Sequence, residues 1–477
     1  MLLSSFCVTW PYLWCWDSTN LHPILTILVT LISVLCLLRW FKNSSNEATF
    51  SSPLPPVPLG LPLLGYLPFL GTNPHLKFHK LAQVYGPIYK LISPSLVKEI
   101  VCDQDTVFTN RDPPISKACK ILVREMLSNT NISNSFSHRK VEVMKSIKDV
   151  YEKKIGCKIS VGELAFLTAT NAIRSMIWGE TLQGEGDAIG AKFREFVSEL
   201  MVLLGKPNIS DLYPVLACLD LQGIERRTRN VSHGIDRLFD SAIEKRMNVT
   251  GKGESKSKKK DVLQYLLELT KSDSDSASMT MSEIKDIVLS GTETTSTTLE
   301  WVVARLLQHP EAMKRVQEEL DECLEAVIKE TLCLHPPLPF LIPRGPSQTS
   351  TVGGYTIPKG AQVILNVWTI HRDPDIWKDA LEFRPERFLS DAGKLDYSGV
   401  NKFEYIPFGS GRRICAGLPL AEKMMMFMLA SFLHSFEWRL PSGEILEFSG
   451  KFGAVVKKMK SLIVIPKPRL SKPELYQ

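Results

Sequence analysis

The sequence predicts one large, mainly α-helical domain with a smaller β-rich part, set behind an apolar N-terminal segment. Three observations predict it. Between about residues 75 and 330, apolar positions recur at helical spacing, most clearly over Glu163–Trp178 and Phe193–Leu204. The run Val352–Val367 (VGGYTIPKGAQVILNV) turns β-rich and is punctuated by glycine and proline, the pattern of a hairpin or small sheet. Ahead of both, Ile24–Leu38 is apolar apart from Thr and Ser and carries no charge. A chain of 477 residues that is 44% hydrophobic can fill a large core, and 23% charged residues fit a globular body.

The N-terminal run is extended by Trp40 and Phe41 and flanked by Arg39 and Lys42. A bilayer-spanning helix needs roughly 20 residues, which residues 24–42 nearly supply. Trp10, Trp14 and Trp16 precede the run, where interfacial aromatics sit. A cleaved signal peptide is the rival reading. No Lys or Arg precedes the run, however, and no small-x-small cleavage site follows it. We therefore expect an N-terminal segment over 1–23, a single-pass transmembrane anchor over 24–42 and a body on the cytosolic side. Sequons beginning at Asn43, Asn131, Asn208, Asn230 and Asn248 would then stay unglycosylated. Residues 43–65 form a linker whose prolines (Pro53, Pro55, Pro56, Pro58 and Pro62) make a semi-rigid spacer or hinge. Residues 66–477 form the main domain.

The formal charge of +6 is a mild bias at this length. It excludes a nucleic-acid binder and suits an acidic partner surface or anionic lipid. The basic stretch Gly251–Asp261 reads as a solvated loop. Ten cysteines without any CxxC indicate reduced thiols, not a disulfide scaffold.

Thr280-Met281-Ser282-Glu283 fits a capping box that opens a long helix. That helix is predicted to end at Gln308, before Pro310. Within it lies Ser290-Gly291-Thr292-Glu293-Thr294-Thr295. Gly291 weakens the helix, and the Thr hydroxyls can bond backbone carbonyls, so a widened turn could hold water there. An acid beside a hydroxyl, Glu293 beside Thr294, can relay protons. Taken alone, the hexapeptide reads equally as a polar break in a long helix.

The strongest signal comes later, in Phe408-Gly409-Ser410-Gly411-Arg412-Arg413-Ile414-Cys415-Ala416-Gly417. Glycines at 409, 411 and 417 free the backbone to fold around one sulfur. Arg412, Arg413 and the N-terminus of the next helix, predicted over Leu418–Leu433, would favour its thiolate. The segment resembles the haem-binding loop F-x-x-G-x-R-x-C-x-G of cytochromes P450, and every fixed position matches. The hexapeptide in the long helix is similar to that family's [A/G]-G-x-[D/E]-T-[T/S], with Ser290 departing from the usual Ala or Gly. DTVFTNRDPP (105–114), VLLGKPNISDLYPVL (202–216), KETLCLHPPLPFLIPR (329–344), VGGYTIPKG (352–360) and FRPERF (383–388) extend the likeness over most of the chain. It is nearest to plant microsomal terpenoid hydroxylases of the geraniol 8-hydroxylase kind.

The resemblance implies a cytochrome P450 fold, with a large helical lobe and a smaller β-rich lobe, and haem b (iron protoporphyrin IX) as cofactor. It makes Cys415 the axial ligand of the haem iron. It gives Arg413 and Arg344 to the propionates, Phe408 to the space beside the sulfur, and Glu293 and Thr294 to proton delivery. It implies a monooxygenase of terpenoid metabolism in the endoplasmic reticulum membrane. Such an enzyme would insert one atom of O2 into a small lipophilic substrate, with a monoterpenoid alcohol as the example. Electrons would come from NADPH through a separate NADPH-cytochrome P450 reductase, since the chain shows no dinucleotide motif.

Three departures keep a second reading open, a haem-poor or non-catalytic relative; a haem-thiolate isomerase or dehydratase is a third. The family's Glu-x-x-Arg is here Glu330 and Cys333, so a network that should join Glu330, an arginine and Arg387 lacks its central cation. Around 116–122 the family's Trp-x-x-x-Arg helix is missing. The stretch between Pro310 and Glu330 is shorter than the family's, which carries an extra helix and loop there.

Overall fold

The computed structural model describes residues 26–35, 71–85, 94–108, 127–178, 186–206, 208, 218–250, 281–389, 395–399 and 402–476, and parts of 52–70. Residues 26–35 form a helix, α1. Its large apolar side chains face outward, while Thr30 and Ser33 donate to the carbonyls of Thr26 and Val29, so their hydroxyls need no water. Ten residues rise about 15 Å, half a bilayer core. Among the described residues no helix is long and apolar enough to cross a membrane. The remainder of the expected anchor, the tryptophans before it, the loop 251–261, the capping box at Thr280 and the segment 116–122 lie outside the described residues.

The longer helices that follow are α2 (Pro74–Tyr85), α3 (Phe136–Lys153), α4 (Val161–Trp178), α5 (Gly186–Leu204), α6 (Ile224–Thr250), α7 (Met281–Gln308), α8 (Pro310–Glu318), α9 (Glu322–Leu334) and α10 (Leu418–Ser435). The axis of the body is α7. Leu299, Trp301, Val302, Val303, Ala304 and Leu306 are all buried, so the C-terminal half of this helix presents apolar residues on several sides and must be enclosed by others. It packs most extensively on α4, and also on α9 and α10. Gly291 sits where a Cβ would come 3.0 Å from Ile173 of α4, so its smallness sets how closely the two helices approach. α7 ends at Gln308 as predicted, and Pro310 opens α8.

The short link between α8 and α9 is closed by Glu319. Its carboxylate accepts from the backbone N–H groups of Asp321, Glu322 and Cys323 at 2.7, 3.0 and 2.6 Å. These bonds, that of Cys323 above all, hold its pKa below the ordinary carboxylate value. The stretch that reads as a loss in sequence is thus a tight, capped turn.

The strands are β1 (Ile159–Ser160), β2 (Ser350–Val352), β3 (Tyr355–Ile357), β4 (Phe436–Arg439), β5 (Gly450–Lys451), β6 (Lys457–Lys458) and β7 (Ile463–Pro468). They pair antiparallel as one sheet in the order β1-β7-β4 and as two hairpins, β2-β3 and β5-β6. Gly353 and Gly354, at φ of 52° and 83°, make the two-residue turn of the β2-β3 hairpin. The predicted β run to Val367 is shorter in the structure. Pro358 and Gly360 end it after Ile357, and only Val363 pairs again, with Arg344. Strand β3 meets the proline-rich stretch, since Thr356 donates through N–H to Pro53 O and through Oγ1 to Ser52 O, each at 2.8 Å. Pro53 has no N–H of its own and meets that strand through its carbonyl alone.

Two cores result. The larger joins α3, α4, α7, α9 and α10. The smaller gathers Ile100, Val101, Val352, Val363, Leu365 and Ile406 beneath the β2-β3 hairpin. These correspond to the large helical part and the smaller β-rich part that the sequence predicts.

Three buried histidines make this body acid-sensitive. His371 Nε2 accepts from Ile406 N–H at 3.1 Å, and His335 Nε2 accepts from Arg305 Nε at 3.0 Å while stacking on Trp301 at 3.9 Å. Burial lowers His75 to about 4, His371 to about 3 and His335 well below 6.5. An unfolded histidine takes its proton near 6.5; these do not. Stability is therefore full above pH 6.5 and falls as pH drops toward 4, by up to about 1.4 kcal/mol per pH unit per histidine. Urea midpoints at pH 7.5, 6 and 5 check this; equal midpoints would contradict it.

Candidate active site

The cysteine loop joins the two lobes. Gly409 and Gly411 adopt φ of 74° and 67°, a region that side chains resist. A Cβ on Gly411 would also lie 2.6 Å from Val101 Cγ1 and 2.8 Å from Val101 O, so two constraints demand glycine there. Cys415 N–H donates to Phe408 O at 2.9 Å, and Ile414 N–H to Gly411 O at 3.1 Å, folding the loop back on itself. Gly417 is the N-cap residue of α10, and its Cβ would stand 3.7 Å from the sulfur, an ordinary contact. Cys415 itself is exposed. Phe408 meets Tyr397 edge-on at 5.7 Å between ring centres.

The cations around the loop divide. Arg412 pairs with Asp105 at 2.8 Å, which offsets the charge that sequence reading aimed at the sulfur. Arg413 donates to Pro343 O at 2.9 Å. Arg344 is buried and donates to Ser410 O at 3.0 Å. One exposed sulfur on a tightly folded loop, with two guanidinium groups bridging residues 343–344 to 410–413, fits haem. The soft ligand suits iron, and planar cations suit propionates.

On the oxygen-side helix, α7 runs unbroken through Gly291–Thr295, so the widened turn is absent. The expected hydroxyl-to-carbonyl bonds do form, from Thr295 Oγ1 to Gly291 O and from Thr298 Oγ1 to Thr294 O, each at 2.9 Å, but within an unbroken helix. Glu293 is buried and forms an ion pair with Lys457 of β6. Thr294 is half-buried.

Glu330 and Arg387 pair directly at 3.0 Å without the arginine that Cys333 replaces. The other carboxylate oxygen of Glu330 accepts from Arg384 N–H at 2.8 Å. Burial raises the Glu330 carboxyl, opposed by that bond and by Arg387 and Arg305. Cys333 is 3% exposed, and its thiol donates to His371 O at 3.4 Å. Arg372 lies across the end of α9, donating to Leu334 O and, at 3.5 Å, to Cys333 O. The chain therefore keeps cations around Glu330 from other elements. Sequence reading missed Lys457, Arg305, Arg372 and His371, because none belongs to a local motif.

The sequence profile described as cytochrome P450 matches residues 92–465. Geraniol 8-hydroxylase of Catharanthus roseus is 34% identical over 501 residues, spanning 93% of this chain and 99% of its own length. Flavonoid 3'-monooxygenase of Petunia hybrida is 32% identical, spanning 94% and 98%. Drimenol monooxygenase of Persicaria hydropiper is 33% identical, spanning 91% and 96%. The alignment with the first is longer than this entire chain, so that relative carries segments absent here. Among solved structures, a zebra fish cytochrome P450 with abiraterone superposes with a TM-score of 0.65 over 84% of this chain and 100% of its own, at 24% identity. The haem domain of cytochrome P450DA gives 0.67 over 88% and 98%, at 20% identity. At those identities the two structures speak to the fold alone.

Proposed function

Since this chain belongs to the cytochrome P450 family and is a haem monooxygenase fed by a reductase, we propose that Cys415 is its iron ligand and a monoterpenoid alcohol its substrate class. The carrying observation is the exposed Cys415 sulfur on its glycine loop, flanked by Arg344 and Arg413. Haem b, when bound, supplies reductive activation of O2, and a thiolate ligand favours O–O cleavage. Arg344 and Arg413 would hold the propionates, Phe408 would shield the sulfur, and Gly409, Gly411 and Gly417 keep the loop compact. Glu293 holds a proton source beside Thr294, whose hydroxyl passes protons on. Glu330 and Arg387 fix α9 to the segment that follows it. The names of similar plant enzymes, geraniol 8-hydroxylase in two species and drimenol monooxygenase, support a small lipophilic alcohol. NADPH-cytochrome P450 reductase is the electron donor in this reading. Residues 24–42 anchor the body to the cytosolic face of the endoplasmic reticulum membrane.

The Glu293–Thr294 pair supports oxygen activation over an isomerase or dehydratase, and the surviving Glu330–Arg387 pair supports an intact enzyme over a haem-poor relative. Thr294→Ala tests the relay. With haem content unchanged, peroxide released per NADPH should rise severalfold, in line with loss of a positioned proton donor. Unchanged coupling with geraniol as probe would count against it.

A further inference from the structure

We propose that His371 positions the cysteine loop by holding Ile406, the residue at which the chain enters it, and that Cys333 serves the same support by fixing the backbone of His371; this rests on the haem-thiolate reading above. Ile406 is fully buried, and both of its backbone groups are engaged. Its carbonyl accepts from Gly409 N–H at 3.0 Å, the turn that starts the loop, and its N–H donates to His371 Nε2 at 3.1 Å. A buried N–H left without an acceptor keeps the full cost of its lost hydration, so this imidazole decides how firmly residue 406 is seated. The loop's other anchors lie further along. Arg344 reaches Ser410 O, Arg413 reaches Pro343 O, Arg412 pairs with Asp105, and Ser410 Oγ donates to Gly399 O at 3.3 Å. They hold residues 410–413, whereas His371 holds the entry.

His371 is fixed from several elements. Its own N–H closes the short helical turn Val367–Ile370 by donating to Val367 O at 3.0 Å. Its ring stacks on Tyr405 at 5.3 Å between ring centres, and Tyr405 OH donates to Lys329 O of α9 at 3.1 Å. Because Nε2 accepts from a backbone N–H, the ring carries its proton on Nδ1. Burial, with Arg372 nearby, lowers the ring to about 3, so at neutral pH it stays uncharged and Nε2 stays an acceptor.

Cys333 completes the support. Its thiol donates to His371 O at 3.4 Å, and the residue after that histidine, Arg372, donates to Leu334 O and Cys333 O. The Arg372 guanidinium also lies over the Trp368 ring at 4.1 Å and donates to Trp368 O at 3.0 Å. The C-terminal turn of α9 and residues 368–372 are thus joined along one seam, from which the imidazole reaches the loop. A thiol is short enough to be buried there, and the cation beside the α9 carbonyls is already supplied by Arg372.

The test follows the purified full-length chain in two ways. One is hydrogen exchange at the amide of Ile406; the other is the rate at which the reduced, CO-bound band passes from thiolate type to non-thiolate type on mild heating. His371→Phe keeps a flat ring against Tyr405 but loses the acceptor. Exchange at Ile406 should rise about tenfold, and the band should convert severalfold faster. His371→Gln places an amide oxygen near the position of Nε2 and should restore most of both. Cys333→Ala should move both in the same direction by a smaller factor, with Cys333→Ser close to wild type. Cys333→Arg, which sets a second guanidinium beside Arg372, should also raise exchange at Ile406. If His371→Phe lowers only the melting temperature, with exchange and band conversion as in wild type, the histidine is packing and the proposal fails. Should His371→Phe not fold, Cys333→Ala must raise exchange at Ile406 or the proposal fails. Higher haem occupancy in Cys333→Arg, with exchange unmoved, would overturn the role of the thiol. A wild-type chain without a thiolate-type band overturns the haem-thiolate reading instead, because exchange at Ile406 in that same chain still decides the role of His371.

Discussion

Cys415→Ser is expected to remove thiolate ligation and turnover completely. The loop backbone should survive, because its folding depends on the Cys415 N–H bond to Phe408 O, on Gly409 and on Gly411, none of which needs the sulfur. Serine keeps the size of the side chain but offers a hydroxyl whose proton is held far above neutral pH, so it is a poor anionic ligand. The reduced, CO-bound spectrum should lose its thiolate-type band. Melting temperature of the haem-free protein should change little, since the exposed sulfur contributes little packing. A thiolate-type band surviving the substitution would overturn the assignment of the ligand.

Glu330→Ala carries the second large effect, on stability. Glu330 is 1% exposed and neutralises Arg387 at 3.0 Å. Breaking a buried pair by removing one partner costs about 3–5 kcal/mol. Arg387 retains carbonyl acceptors on Lys378, Asp379, Glu382 and Arg384 at 2.9–3.3 Å, which keeps its N–H groups bonded and places the loss near the lower bound. Arg384 N–H, however, loses its acceptor. The melting temperature should fall by several degrees, and haem retention should fall with it. Glu330→Gln preserves the acceptor for Arg384 and should cost less than alanine. Equal melting temperatures for wild type and Glu330→Ala would show that the pair is dispensable and that Arg305 and Arg372 already carry the local structure.

The features legible in the sequence are those encoded within a few residues. The cysteine loop depends on glycines at fixed spacing, α7 stops before Pro310, and the β2-β3 hairpin turns on Gly353-Gly354. The features missed are pairings between distant residues: Glu293 with Lys457, His335 with Arg305, Pro53 with Thr356. No periodicity marks such pairs, because each is created by the packing of separate elements. The α8–α9 link shows the same gap, where a missing length of chain reads as damage although Glu319 closes the turn locally. Cys333 reads as a lost charge whose two remaining partners could still pair directly, and the fold shows that pairing, Arg387 to Glu330 at 3.0 Å.

The absorption spectrum of the purified, reduced, CO-bound chain tests the central claim most directly, because one band reports haem binding and thiolate ligation together. A thiolate-type Soret band, with close to one haem per chain, is the result expected of a haem monooxygenase ligated by Cys415. A chain that takes up no haem, or one whose CO complex shows the band of a nitrogen-ligated or unligated haem, would contradict it.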